Sequence, residues 1–220
     1  MSYKIYLVRH GQTILNRYNR MQGWCDSPLT QKGIEDAHEA GRRLKKIRFA
    51  YAFHSDTTRA MRTCNYILSE NDNETPVPIT LENFREQGYG YYEGSDSNQA
   101  WLMIGASHNC RTFKELISTY SIEDARDFCK EADPFHQAEN NREFWERVGN
   151  GFEYLDKIAD DGCNILIVSH GTTIRSIVHH FDPEVDITVS PQNGSVTRLT
   201  VDGTRVSVDY YSNYLKTDEY

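Results

Sequence analysis

The sequence has no apolar run near the roughly 20 residues that a helix needs to cross a bilayer. Its N-terminal segment lacks the long apolar stretch and the small-residue cleavage site of a secretory signal. The cysteines are odd in number, scattered and without a Cys-x-x-Cys pair, which argues against a disulfide framework and against a zinc ribbon. We therefore expect free thiols in a cytoplasmic protein. These cysteines are Cys25, Cys64, Cys110, Cys129 and Cys163.

Positive charge is also scarce. Lys and Arg number 24 against 32 Asp and Glu, which gives a net charge of −8 at pH 7. Nucleic acids and anionic membranes both bind basic surfaces, so we expect neither as a partner. A local cluster of arginine and histidine in such an acidic chain instead indicates a specific anionic ligand.

Short strand patterns recur along the chain. Strands are predicted at 3–8, at 49–54, around 77–81 and at 164–168. The segment 164–168 (NILIV) is apolar without alternation, as in a strand that is buried on both faces. Two further strands, 196–201 and 205–211, flank the turn residues Asp202 and Gly203 and predict a hairpin.

Helical patterns separate these strands. Thr30 is a candidate N-cap for the first long helix, and Ser55-Asp56 is a candidate cap for a helix over 58–68. Further helices are predicted at 144–158 and 173–180. The helix over 58–68 is expected to bury Met61, Cys64, Ile67 and Leu68.

Alternation of strands and helices predicts an α/β fold, specifically a three-layer α/β/α sandwich around a mostly parallel sheet. The closing hairpin predicts one antiparallel edge strand. Residues 95–138 are polar with weak helical periodicity, which indicates a helical, lid-like insertion. We expect a single domain over 1–220 that carries this insertion.

Chemically versatile side chains follow several of the strands. His10 and His170 each stand before a glycine at a predicted strand end, Arg59 lies in the first turn of a helix, and Glu86 follows the short strand. In open α/β sheets, ligands bind at the carboxyl ends of the strands. One such residue alone is usually structural. Together they predict a crevice that binds an anion, because clustered cations without a counter-charge are costly to bury.

The same residues resemble the motifs of the histidine phosphatase superfamily, the phosphoglycerate mutase-like proteins. The similarity extends in order over nearly the whole chain apart from 95–138. The matching segments are Arg9-His10-Gly11-Gln12-Thr13 with Asn16, Gln22-Gly23, Asp26-Ser27-Pro28-Leu29-Thr30, Ser55-Asp56-Thr57-Thr58-Arg59-Ala60, Glu86-x-x-x-Gly90-x-x-Glu93-Gly94 and Ser169-His170-Gly171. The chain departs from the common pattern at Gln12 and Thr57.

The resemblance implies a role for each catalytic candidate. His10 would attack phosphorus and form a phosphohistidine. Arg9 and Arg59 would clamp the phosphoryl oxygens, and His170, protonated while phosphate is bound, would add positive charge. Glu86 would protonate the leaving group and then activate water.

The remaining candidates concern substrate binding. The neutral donors and pocket residues expected to contact substrate are Gly11, Asn16, Gln22, Gly23, Gly171 and Tyr92. Other aromatic residues that are candidates to line the leaving-group pocket are Trp24, Tyr89, Tyr91 and Trp101. The cations of the insertion that would suit a second anionic group, although such charges are usually solvated, are Lys114, Lys130, Arg111 and Arg126. No cofactor or metal is expected, because neither His108-x-Cys110 nor His179-His180 has the partners of a zinc site.

Two activities and one inactive alternative compete. The dedicated mutases of this family read Asn-Glu-Arg-His-Tyr-Gly around the acid and His-Gly-Asn-Ser-Leu-Arg at the second histidine. This chain instead has Arg85-Glu86-Gln87-Gly88 and His170-Gly171-Thr172-Thr173. We therefore favour a phosphatase acting on a phosphorylated small molecule over a phosphoglycerate mutase, and either over an idle regulatory protein that binds phospho-ligands. The oligomeric state is left open, with a homodimer among the alternatives.

Overall fold

A computed structural model describes residues 1–215 and 220. One sheet of six strands forms its centre, in the order β3-β2-β4-β1-β5-β6. The strands are β1 (Ser2–Arg9), β2 (Tyr51–His54), β3 (Ile79–Thr80), β4 (Asn164–Ser169), β5 (Val196–Asp202) and β6 (Arg205–Asn213). The pairs β3-β2, β2-β4 and β4-β1 are parallel, whereas β5 runs antiparallel to both β1 and β6. This confirms the mostly parallel sheet with an antiparallel hairpin at one edge.

Helices cover both faces of the sheet. They are α1 (Ile14–Arg17), α2 (Gln31–Leu44), α3 (Thr58–Ser69), α4 (Ser97–Gly105), α5 (Phe113–Thr119), α6 (Ile122–Ala132), α7 (Asn141–Ile158) and α8 (Gly171–Phe181). Alternate residues of β1 enter opposite layers. Tyr6 and Val8 pack with α2 and α3, and Ile5 and Leu7 pack with α7 and α8. The three-layer α/β/α architecture is therefore confirmed.

The beginnings of the helices illustrate which local predictions were right. The Thr30 side chain accepts a hydrogen bond from the Gly33 amide at 3.0 Å, so it caps α2 as predicted. The predicted cap from Ser55-Asp56 on α3 is wrong, because Thr57 occupies the N-cap position. Asp26, which is distant in sequence, accepts from the first amide of α3, that of Thr58, at 2.6 Å. Met61 is 40% exposed, contrary to prediction.

The insertion over 95–138 is helical, as expected, and comprises α4, α5, α6 and a 3₁₀ turn over Ala106–His108. Its buried face forms a separate apolar cluster that includes Trp101, Ile104 and Leu116 and extends to Tyr89 and Tyr92 outside the insertion. The insertion is therefore packed against the segment that follows Glu86. Among the described residues, no helix is both long and apolar enough to cross a membrane.

Candidate active site

A pocket of about 390 Å³ opens at the carboxyl ends of β1 and β4, where Arg9 and His10 end the first of these strands. Several residues on its rim, such as Arg20, Asn98 and Lys114, are exposed, so the pocket is open to solvent. The predicted site residues that line it are Arg9, His10, Asn16, Gln22, Glu86 and Gly171.

His10 is 3% exposed and lies in this pocket. Its Nδ1 is 2.8 Å from the carbonyl oxygen of Gly11, which can only accept, so Nδ1 carries the proton. Nε2 is therefore unprotonated. Burial, together with the positive charges of Arg59 and Arg9, holds the pKa of His10 well below its ordinary value. The imidazole is thus neutral at physiological pH, which is the form that a nucleophilic histidine requires.

Arg59 lies beneath His10 and is fully buried. Its Nε is 3.3 Å from Nε2 of His10, and its Nη2 is 3.1 Å from Nδ1 of His170. The other contacts of its terminal nitrogens are to carbonyl oxygens of Gly23 at 2.7 Å and Cys25 at 2.8 Å and to the Asp26 carboxylate at 3.0 Å. Arg59 does not line the pocket in this structure.

His170 lies behind the pocket, with its ring 5.1 Å from that of His10 between centroids. Because a guanidinium only donates, Nδ1 of His170 must accept from Arg59, and Nε2–H then donates to the Ser55 hydroxyl at 2.7 Å. Burial and the charge of Arg59 hold the pKa of His170 well below its ordinary value. His170 is therefore neutral in this structure, whereas the prediction of a protonated ring concerns the site with phosphate bound.

Glu86 lines the same pocket as His10. Its carboxylate accepts from the amides of Thr172 at 2.9 Å, Thr173 at 2.9 Å and Gln87 at 3.0 Å. The first two amides belong to the N-terminal turn of α8, where the helix dipole favours negative charge. This arrangement fixes the carboxylate in place.

Arg9 reaches into the pocket from the end of β1. Its Nη1 donates to the carbonyl oxygen of Pro191 at 2.6 Å, and its buried Nε has no partner in the described part of the chain. A Cβ atom at Gly171 would lie 3.4 Å from the Arg9 guanidinium. The glycine therefore leaves room for this side chain. The Gly171 amide itself has no hydrogen-bond partner among residues 1–215 and 220.

Three of the predicted substrate contacts do not line the pocket. The Gly11 amide donates to Thr63 at 3.0 Å, and a Cβ at this glycine would lie 2.1 Å from a Gly33 oxygen, so its role is close packing. Gly23 is similarly enclosed, and its carbonyl accepts from Arg59. Tyr92 is 3% exposed and donates to the carbonyl of Ala132 in the insertion. None of the three lines the pocket.

The candidate aromatic residues divide between the pocket and its surroundings. Tyr89 and Trp101 line the pocket, and the Tyr89 hydroxyl lies 2.8 Å from that of Thr172. Trp24 instead donates to the main-chain carbonyl of Glu86 at 3.0 Å from outside the pocket. Tyr91 is exposed and packs on Phe135.

Of the candidate cations in the insertion, only Lys114 lines the pocket. Lys130 forms an ion pair with Glu143 at 2.6 Å, and Arg126 is buried against Ser176 and Asn141. Arg111 is exposed.

Sequence reasoning also missed Arg175 and Thr172 on the pocket wall. The feature that could have indicated these two residues is their position in the first two turns of the helix that follows His170.

No metal-binding group is found in the described part of the chain, where no three His, Cys, Asp or Glu side chains are grouped to hold an ion. The histidines of the two candidate pairs have other contacts. His108 stacks on Phe128 with ring centroids 3.5 Å apart, and His180 packs against Trp145 at 4.4 Å. The five cysteines are free thiols, as expected.

The family model of the histidine phosphatase superfamily (branch 1) matches residues 5–214. The chain belongs to this superfamily. A 2,3-bisphosphoglycerate-dependent phosphoglycerate mutase 2 of Lactiplantibacillus plantarum is 29% identical over 194 residues, covering 81% of this chain and 84% of that protein. A 2,3-bisphosphoglycerate-dependent phosphoglycerate mutase of Neisseria meningitidis is 30% identical over 195 residues, covering 81% and 85%.

Solved structures of the superfamily include both activities. The crystal structure of a phosphoglycerate mutase from Bacillus anthracis is 31% identical with a TM-score of 0.90, covering 97% of this chain and 94% of that one. A mycobacterial glucosyl-3-phosphoglycerate phosphatase shares the fold at 22% identity, with a TM-score of 0.71 and coverage of 95% and 98%. Membership of the superfamily therefore leaves transfer and hydrolysis as the two activities to be distinguished.

Proposed function

We propose that this protein is a cytoplasmic, metal-independent phosphatase that hydrolyses a small-molecule phosphate monoester through a phosphohistidine on His10. The observation that carries the proposal is the state of this imidazole. Its Nδ1 proton is held by the Gly11 carbonyl, Nε2 is unprotonated with Nε of Arg59 at 3.3 Å, and the ring lies in a pocket that also contains the Glu86 carboxylate. A neutral nucleophile and an acid–base group beside one anion-binding pocket are the requirements of two-step phosphoryl transfer.

In the first step Nε2 of His10 bonds to phosphorus while the bond from phosphorus to the ester oxygen breaks. Glu86 gives a proton to the leaving alkoxide. In the proposed cycle this proton arrives with the substrate, whose phosphate retains one proton below its second pKa of about 6. The Nε–H of Arg59, which points at Nε2 in the free site, becomes available to a phosphoryl oxygen.

In the second step water attacks phosphorus, and Glu86 takes its proton. The bond from phosphorus to Nε2 breaks, which releases inorganic phosphate and restores the neutral imidazole. Arg9 and the free Gly171 amide lie in the pocket beside the transferring group and stabilise its charge.

Hydrolysis requires water at the phosphohistidine, whereas transfer back to a product requires its exclusion. The solvent-exposed rim at Arg20, Asn98 and Lys114 favours hydrolysis. The segment after Glu86 also carries Gln87 and Gly88, where the dedicated mutases have larger cationic side chains. These two features support the phosphatase proposal.

A bisphosphoglycerate-dependent mutase is the second candidate. It is favoured by the relatives at 29–31% identity, which are named phosphoglycerate mutases. A mutase would return the phosphoryl group from His10 to a phosphoglycerate instead of releasing phosphate.

The test measures phosphate release from p-nitrophenyl phosphate and from a panel of metabolite phosphate monoesters, with His10→Ala as the blank. We expect release by the native protein, none by the variant, and an acid-labile phosphoprotein trapped only in the former. Parallel incubation with 3-phosphoglycerate and a bisphosphoglycerate primer distinguishes the second candidate. Sustained isomerisation without phosphate release would overturn the phosphatase proposal, and no turnover of any ester would indicate a regulatory protein that only binds phospho-ligands.

A further inference from the structure

The main chain that carries Glu86 has no regular structure of its own. Residues 85–89 belong to no helix or strand and connect the 3₁₀ turn over Glu82–Phe84 to a second one over Gly90–Tyr92. The amides of α8 bind the Glu86 carboxylate, but these contacts fix only the end of the side chain. A segment without a hydrogen-bonded ladder needs other partners to hold its peptide groups.

Arg147, in the middle of α7, is one such partner. Its Nη1 donates to the carbonyl oxygens of Asn83 at 2.8 Å and Arg85 at 3.1 Å. Its Nη2 lies 3.4 Å from the carbonyl oxygen of Glu86. Arg147 does not line the active-site pocket. It therefore acts on the segment before and at Glu86, and not on the substrate.

Glu139 is the second partner and is 5% exposed. Its carboxylate accepts from Nε and Nη2 of Arg147, each at 2.8 Å, which makes a bidentate ion pair. Its main-chain amide donates to the carbonyl oxygen of Gly88 at 2.9 Å, and its Oε2 lies 3.4 Å from the Gly88 amide. The Arg147–Glu139 pair thus contacts the main chain on both sides of Glu86.

These contacts use the whole guanidinium of Arg147. Two go to carboxylate oxygens and three to carbonyl oxygens, which matches the five N–H donors of an arginine. A lysine ammonium lacks the planar fork and cannot reproduce this set. Because desolvation offsets much of the attraction in a buried ion pair, the clearest effect of this one is the geometry that it imposes on its partners.

We propose that Arg147 and Glu139 are positioning residues, which hold Glu86 in place for both of its proton transfers. The inference rests on the proposed role of Glu86 as general acid and base. Such a group must lie within hydrogen-bond reach of the atom that it protonates. A displacement of about 1 Å, caused by a change remote from the chemistry, costs about 100-fold in rate. Without the Arg147–Glu139 pair the segment would shift and carry the carboxylate with it.

Arg147 has a second route to the site, through its charge. Burial, then Arg59 and His10, are the larger causes of the lowered pKa of His170, and the charge of Arg147 adds to them. Arg147→Lys separates the two routes, because it keeps the charge and removes the fork. Positioning predicts that lysine does not rescue the activity, whereas an effect of charge alone predicts that it does.

The experiment compares kcat/KM on phenyl phosphate and on p-nitrophenyl phosphate. The p-nitrophenolate group leaves readily without a proton, whereas phenolate leaves faster when it is protonated, so the ratio of the two values reports proton donation by Glu86. Arg147→Gln, Arg147→Lys and Glu139→Gln should each lower kcat/KM on phenyl phosphate by about 10- to 100-fold, and on p-nitrophenyl phosphate much less. The control is Arg142→Gln, at an exposed arginine of the same helix, and it should change neither value.

A double-mutant cycle with Glu86→Gln tests whether the effect passes through this residue. In the Glu86→Gln protein the carboxylate is already absent, so Arg147→Gln should not change the ratio further. Equal losses on both esters in Arg147→Gln, a native ratio in Arg147→Lys, or the full loss repeated in the Glu86→Gln background would each overturn the proposal.

A measurement without turnover separates this proposal from the proposed function. In nitrogen–proton correlation spectra, Arg147→Gln should move the amide signals of Thr172 and Thr173 in the direction in which Glu86→Gln moves them, because both changes weaken the same hydrogen bonds. Glu139→Gln serves for this test if Arg147→Gln does not fold. Shifted amides in a protein that releases no phosphate would retain the positioning and reject the phosphatase. Amide signals at their native positions would reject the positioning, whatever the activity.

Discussion

Replacement of Glu93 by glutamine should loosen the active site from outside the pocket. The Glu93 carboxylate accepts four backbone amides. Oε2 accepts from Gly23 at 3.0 Å and Cys25 at 3.1 Å, and Oε1 accepts from Trp24 at 2.8 Å and Tyr89 at 3.0 Å. The carbonyls of this same loop face the other way. Those of residues 23 and 25 accept from the guanidinium of Arg59.

The magnitude follows from these contacts. A glutamine keeps one oxygen and presents an NH₂ group where the other was, so two of the four amides lose their acceptor whichever way the side chain is turned. An unsatisfied buried amide costs about 1–3 kcal/mol. Because Glu93 is only partly buried and water can reach it, we expect the lower end, about 2–4 kcal/mol in total. The loop would shift, and the two carbonyls would no longer orient Arg59.

Two measurements test this reasoning. Urea unfolding should show the loss of stability. The value of kcat/KM on an aryl phosphate should fall by about 10- to 100-fold, because half or more of the lost free energy comes from the orientation of the active site. Glu131→Gln removes the same charge from an exposed residue of α6 and should change neither. If Glu93→Gln unfolds within 0.5 kcal/mol of the native protein (about the usual range for a surface change) and keeps kcat/KM within twofold, the loop does not hold Arg59 and the reasoning is refuted.

Four further predictions concern the chemistry and the histidines. Glu86→Gln should lower kcat on phenyl phosphate by about 100- to 10,000-fold, and a smaller loss would assign the proton transfers to another group. Arg59→Lys should lower kcat/KM by at least about 10-fold, since an ammonium cannot replace the forked contacts, and wild-type kinetics would contradict this. EDTA should leave phosphate release unchanged, and its loss on chelation would reject the metal-independent mechanism. Burial and the charge of Arg59 depress the pKa of both His10 and His170. Below about pH 6.5 these histidines therefore bind protons in the unfolded chain but not in the folded protein. The free energy of unfolding should therefore fall with falling pH by up to about 1.4 kcal/mol per unit for each histidine, and urea unfolding of His170→Gln should show a shallower fall.

The fold was predictable where one physical signal was strong. The run 164–168 is apolar on both faces and forms a central strand, and Thr30 caps α2 as its position predicts. Prediction failed where a distant group replaced a local one. Ser55 does not cap α3, because its hydroxyl binds His170 and the first amide of the helix is taken by Asp26. Whether a distant group replaces a local cap depends on which loops meet in space, and the local sequence does not show this.

The site was predictable in its residue types and less so in their contacts. His10 and Glu86 line one pocket as expected, because both follow strands of one sheet. Tyr92 was predicted to contact substrate, but it packs in the apolar cluster of the insertion and does not line the pocket. An aromatic residue beside a motif fits a pocket and a core equally well. Arg175 was not predicted, because the motif Ser169-His170-Gly171 ends before it. His170 and Arg175 nevertheless both lie at the start of α8.

The contacts of Arg59 were the hardest to anticipate, because several of them are to backbone carbonyls of a loop that is distant in sequence. The loop over residues 22–25 directs its amides toward Glu93 and its carbonyls toward Arg59, so the two charges are joined through peptide dipoles and do not touch. This arrangement has a chemical consequence. The Asp26 carboxylate contacts Arg59 at Nη1, 3.0 Å away, and not at the Nε that faces His10. A carboxylate placed directly against that Nε would repel an incoming phosphoryl group. The positive charge of Arg59 therefore stays available beside Nε2 of His10, the atom that we propose bonds to phosphorus.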